Sequence, residues 1–189
     1  MLNHLRDRMQ PFLEKIGHSF ASTGLSANHW SAVGLAVAFA AAVAYGSTLQ
    51  YAFLLGGILL LVSGFFDIVD GQVARATKTT SRRGSFLDST FDRIAEVAIF
   101  AGLGSGGLVA PELALLGIGL SLLVSYVNAK AESLGLSLRG VGIGERAERL
   151  LIIAIVGMIP GMMEWAVLAV IVISAITVGQ RMKHVYKKL

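Results

Sequence analysis

The stretch DIVDGQVARATKTTSRRGSFLDSTFD, Asp67 to Asp92, carries four aspartates between two runs of nearly continuous hydrocarbon. Asp67 and Asp70 stand at i and i+3 where an apolar segment ends. Asp88 and Asp92 stand at i and i+4 where the next begins. Residues at those spacings share a helix face, about 5–6 Å apart at Cβ. The link between the two segments is short, so the pairs can face each other. Two ionised carboxylates about 4 Å apart repel by roughly 4 kcal/mol at an effective dielectric near 20. Arg75 and Arg93 cannot offset a quartet. All-oxygen ligands of this kind suit Mg²⁺ or Mn²⁺, and bridging carboxylates suit two such ions. The alternative chemistry is protonation of some aspartates, as in a proton relay.

The surroundings favour the metal reading. Gly71 and Ala74 leave the helix surface beside the aspartates without bulk, and Gly84 opens the backbone again before Asp88. Arg75 offers a planar fork suited to phosphate oxygens. Metals, a cleared surface and an arginine describe a pyrophosphate or nucleotide site.

The 189 residues are 54% hydrophobic and include no cysteine. That composition excludes disulfides and thiolate metal sites and points to an all-α polytopic membrane protein. Six apolar segments stand near the length that crosses a bilayer: about 30–48, 52–73, 86–104, 113–131, 146–160 and 165–181. The first 29 residues are charged throughout and do not read as a signal peptide. Leu2, Leu5, Met9, Phe12, Leu13, Ile16 and Phe20 recur there at helical spacing, which predicts an amphipathic interfacial helix acting as an anchor, kinked or divided at Pro11. One domain over 1–189 follows, with the interfacial helix in 1–25 and six transmembrane helices in 26–189. All sixteen Lys and Arg lie in or beside alternate connections and the two ends. Both termini and the aspartates are therefore expected to face the cytoplasm, in a multi-pass plasma-membrane protein.

Asp67-x-x-Asp70-Gly71-x-x-Ala74-Arg75, eight residues, Gly84-x-x-x-Asp88-x-x-x-Asp92 resembles the full signature of the CDP-alcohol phosphotransferases. The resemblance implies a six-helix membrane fold preceded by an interfacial helix, and a transferase. It implies that Asp67, Asp70, Asp88 and Asp92 hold two divalent metals, with Asp92 also the general base. Metals and Arg75 would hold the pyrophosphate of CDP-diacylglycerol or CDP-archaeol. Gly71, Ala74 and Gly84 would shape the cytidine pocket, and Ser81 would add a contact. The stretch 26–31, with Asn28 and Ser31, looks like the family's segment at the pocket mouth. The family usually has Pro where Ala27 stands and Thr where Ser31 stands; Ser26 or Asn28 could equally cap the first span.

Residues 125–132 and 144–150 are similar to the branch that uses inositol phosphate. Lys130, Arg149 and Arg181 match its basic positions for the acceptor's phosphate; Asn128 stands where that branch often has a cation. Arg139 and Arg146 read as topology charges that Glu145 and Glu148 can pair. The product would be phosphatidylinositol phosphate or its archaetidyl equivalent, with glycerol 3-phosphate as the competing acceptor. A cation or proton transporter is the reading from another class, but the aspartates sit at one surface and no mid-span charge continues a path. The family implies a homodimer. The short basic tail suits membrane lipid rather than nucleic acid. Gly102-x-x-x-Gly106 lies at a segment end and reads as a turn. The four histidines are dispersed and read as surface residues.

Overall fold

In the computed structural model the chain is all-helical among the described residues, which are 2–189, with side chains from Gln10 onward. Seven helices follow one another: α1 (Leu2–Ala21), α2 (Ala27–Tyr45), α3 (Ala52–Ala76), α4 (Arg82–Ser105), α5 (Pro111–Ser133), α6 (Arg146–Gly157) and α7 (Met163–Tyr186). From α2 to α7 they alternate in direction. One end of the bundle gathers the ends of α3, α5 and α7 and the starts of α4 and α6. At the other end the backbone N–H of Ala110 donates to Glu164 Oε1 at 3.3 Å, which ties the start of α5 to that of α7.

Four helices, α2, α3, α5 and α7, are long and apolar enough to cross a membrane by length and composition. The expected six are therefore not all matched. The first half of α4 carries Arg82, Arg83, Asp88, Asp92 and Arg93. The α6 helix has 12 residues, about 18 Å against a hydrocarbon core near 30 Å. Its chain enters through the non-helical segment 134–145 and stops at the Pro160-Gly161 turn.

Small residues set how closely the helices approach. A Cβ on Gly102 would collide with the Ala42 carbonyl, and one on Gly106 with the Tyr45 carbonyl. The pair expected to form only a turn is thus the close-packed face between α2 and α4. Ile99, Phe100 and Leu103 of α4 fill the core beside it with Tyr45, Ile153, Val167 and Val170.

The α1 helix is continuous through Pro11. The proline removes one intrahelical donor, and the turns on either side supply the rest. Leu2, Leu5 and Met9 of the expected apolar stripe lie outside the described side chains. Among the others, Leu13, Ile16 and Phe20 are half-buried and Phe12 is exposed. Gly17 packs directly on the Gln72 backbone of α3. Phe20 meets the Trp30 ring edge-on at 4.9 Å, and Trp30 stacks on Phe66 at 5.8 Å. The helix is thereby docked onto α2 and α3 at its C-terminal half.

Gly102→Val should lower stability by about 1–3 kcal/mol, because the new methyl groups must displace α2 backbone. Gly119→Val should change little, since nothing lies within 4 Å of the position its Cβ would take. Thermal unfolding of the two variants in one detergent separates them.

Candidate active site

The signature stretch folds as the end of α3, a short turn and the start of α4. Ser81 is the N-cap of α4, its hydroxyl accepting the Gly84 N–H at 3.0 Å. That cap starts the helix at the register which turns Asp88 and Asp92 toward α3. Asp67, Asp70 and Asp88 each place a carboxylate oxygen within 4.8 Å of the others. Asp70 is buried, Asp88 is half-buried and Asp67 is open to solvent. Ser31 of α2 donates to Asp70 Oδ2 at 2.5 Å, which fixes that carboxylate's orientation.

Asp92 lies one turn beyond Asp88, and the four aspartates with Arg146 line one small void of about 20 Å³. Arg146 Nη1 stands 2.6 Å from Asp92 Oδ1 and 3.4 Å from Asp67 Oδ1. Arg93 Nη1 reaches Asp92 Oδ2 at 3.4 Å. Arg146, read from the sequence as a topology charge, therefore belongs to the site. Its expected acidic partners are engaged elsewhere: Glu145 and Glu148 form a reciprocal capping box at the start of α6. That box was legible as Glu145-x-x-Glu148, and it explains why Arg146 is left to the aspartates.

A cavity of about 180 Å³ adjoins the cluster. Asn28, Gly71, Ala74, Arg75, Ser81 and Gly84 line it together with Ser31, Asp70 and Asp88. The residues expected at the nucleotide are thus brought to one place. Ser26 occupies the N-cap of α2 but makes no capping bond; its hydroxyl pairs with His29 Nδ1 at 2.7 Å.

The four residues expected at the acceptor's phosphate lie on α5, α6 and α7. Asn128 donates to Glu132 at 3.0 Å. Lys130 lines an apolar groove with Tyr126 and Met182. Arg149 is fully buried and paired with Glu96, its Nη2 and Nε lying 2.8 and 3.2 Å from Glu96 Oε1. Its Nη1 donates to the Gly144 carbonyl at 2.8 Å. Arg181 donates to the Val141 and Val124 carbonyls, each at 3.0 Å. A buried guanidinium must satisfy its donors internally. Here both do so on the carbonyls of 134–145 and of α5, and so hold that segment in place. Sequence spacing located these arginines at the aspartate end of the bundle but could not show which way their donors point.

The CDP-alcohol phosphatidyltransferase family matches residues 25–179, and the chain belongs to that family. It is a transferase. An archaetidylinositol phosphate synthase of Pyrococcus horikoshii is 36% identical over 100% of this chain and 98% of its own length. That of Methanothermobacter thermautotrophicus is 38% identical over 100% and 96%. The phosphatidylinositol phosphate synthase of Mycobacterium tuberculosis, solved with CDP-DAG bound, superposes with a TM-score of 0.78 at 28% identity, over 92% of this chain and 93% of that one. The same synthase solved with manganese and citrate gives 0.79 at 27% identity, over 92% and 88%.

Arg149→Ala should destabilise by about 3–5 kcal/mol, because it leaves the Glu96 carboxylate buried and unpaired. Pairing Glu96→Leu with Arg149→Met should recover most of that loss in thermal unfolding, whereas independent roles would make the two losses add.

Proposed function

We propose that the protein moves a phosphatidyl or archaetidyl group from a CDP-lipid to inositol phosphate, releasing CMP. The observation that carries the reading is the set of Asp67, Asp70 and Asp88 oxygens within 4.8 Å, opening onto a cavity walled by Arg75 and small residues. The names of the full-length relatives support the acceptor, and CDP-DAG in the similar mycobacterial synthase supports the donor.

The donor set fits Mg²⁺ or Mn²⁺. It is all oxygen, it concentrates negative charge, and the Ser31 bond holds one ligand in orientation. Asp67, Asp70, Asp88 and Asp92 would hold two ions, which when bound neutralise charge on the diphosphate and on the departing CMP. The chain's own residues do the rest. Gly71, Ala74 and Gly84 admit the flat cytidine against bare helix, with Asn28, Ser31 and Ser81 at its rim. Arg75 donates to the pyrophosphate. Arg146 and Arg93 hold the Asp92 carboxylate from two sides. Asp92 takes the proton from the acceptor hydroxyl as that oxygen bonds to the lipid-linked phosphorus. The bond from that phosphorus to the bridging oxygen breaks, and CMP leaves with that oxygen.

The placement in the membrane belongs to the same reading. Residues 1–189 form one domain, α1 lies in the interface and α2 to α7 pass the bilayer six times. The termini and the aspartates face the cytoplasm, where the lysines and arginines gather.

The purified protein with a CDP-lipid and Mg²⁺ or Mn²⁺, offered inositol phosphate, glycerol 3-phosphate, serine and free inositol, should release CMP with the first and little with the others. Chelation should stop release. Asp92→Asn should abolish turnover while retaining CDP-lipid binding; near-normal turnover in that variant would remove Asp92 as the base.

A further inference from the structure

The ends of α5 and α7 enclose a groove of about 480 Å³. Tyr126, Leu134, Met182 and Tyr186 line it and are exposed, so it opens on the outer surface of the bundle. Lys130 of α5 and Lys183 of α7 bring two cations to it from its two sides, and the remaining lining is aliphatic. Among the described residues neither lysine forms an ion pair. The nearby Glu132 instead accepts from Asn128 at 3.0 Å. A helix end favours a cation, which accounts for each lysine singly. It does not account for two of them on one apolar groove.

The groove is left open by the way α5 stops. Gly135 has φ +77°, and the Leu136 N–H closes on the Ala131 carbonyl at 2.9 Å. That left-handed stop turns the chain away directly after Leu134, and no residue of 135–145 lines the groove. Both helices are long and apolar enough to cross a membrane, and both lysines stand in the last turn. Hydrocarbon-facing surface thus ends in paired cations at the depth where a span reaches the headgroups. The two tyrosines suit the same depth, with an apolar ring and a polar tip. The connections at the other end of the bundle, 46–50, 104–112 and 160–164, contain no Lys or Arg.

We propose that this groove binds one anionic membrane lipid, its phosphodiester on Lys130 and Lys183 and a hydrocarbon chain along the apolar wall. Charge complementarity selects the headgroup, and the aliphatic lining selects an amphiphile over a soluble phosphate. A second copy of the chain is a poorer occupant. A two-fold contact through this face would set the same patch against itself and bring four lysines together. No residue of the lining lines the cavities at the aspartates. The lipid held here is therefore not the one that reacts, and the site stands whichever acceptor the enzyme uses.

Native mass spectrometry of the full chain, equilibrated with equal amounts of phosphatidylglycerol and phosphatidylcholine, tests the site. The wild type should retain one phosphatidylglycerol, favoured over phosphatidylcholine roughly tenfold or more, as two lysines near an anionic headgroup imply. Lys183→Glu should abolish that preference. Leu134→Trp, which fills the groove while keeping both lysines, should abolish retention. Lys187→Ala with Lys188→Ala removes the same kind of charge from the tail outside the groove and should leave the preference intact. Equal retention of the two lipids by the wild type would overturn the assignment. So would an equal loss in the tail variant, which would reduce the effect to general surface charge. A shift in oligomeric state in Lys183→Glu and Leu134→Trp, with lipid retention unchanged, would make the groove a face between copies and overturn it as well.

Discussion

Mutual repulsion among carboxylates from α3 and α4 is the constraint to which the rest of the structure answers. Three aspartate oxygens stand within 4.8 Å of one another at the end of an apolar bundle. Nothing in the hydrocarbon packing requires them there, and each close pair opposes folding by several kcal/mol at the dielectric of a protein surface. The chain answers with a hydroxyl from α2 on Asp70, an arginine from α6 between Asp67 and Asp92, and a side-chain cap from Ser81 that fixes the α4 register. Helices distant in sequence thus meet at one cluster of charge. The glycines that let α2 and α4 touch through bare backbone hold those helices close enough for the meeting to occur.

A second layer of charge supports the first. Arg149 and Glu96 form an ion pair with both side chains at 1% exposure or less. Such a pair adds little net stability, but neither partner can be lost alone. Its consequence here is geometric. With Arg181 it grips the carbonyls of the non-helical segment that leads into α6, and so delivers Arg146 to the aspartates. A loop carrying several glycines would otherwise sample many conformations; two buried guanidinium groups reduce it to one.

How much of this was readable beforehand follows from what each residue contributes. The aspartate spacings and the bare positions Gly71, Ala74 and Gly84 act through local helical geometry, and the structure brings the nucleotide-side residues together at one cavity. The helix order was equally legible from apolar runs separated by Gly, Ser and Pro. Membrane-scale length was less so, because α6 stops after 12 residues and the first half of α4 is heavily charged. Which way each arginine faces was not legible. Arg146 and Arg149 lie three residues apart with similar neighbours, yet one faces the aspartates and the other a buried glutamate. Only the tertiary arrangement that sets Glu96 of α4 beside Arg149 decides that. Gly102 and Gly106 were similarly ambiguous, since a helix end and a packing face use the same residue.

The central claim is that the α3 and α4 carboxylates form one metal-holding centre. Anomalous diffraction at the manganese edge, from crystals grown with Mn²⁺ and a CDP-lipid, tests it most directly. The account predicts anomalous peaks enclosed by Asp67, Asp70, Asp88 and Asp92, with the diphosphate against them. Peaks elsewhere, or none at a concentration that supports turnover, would contradict it.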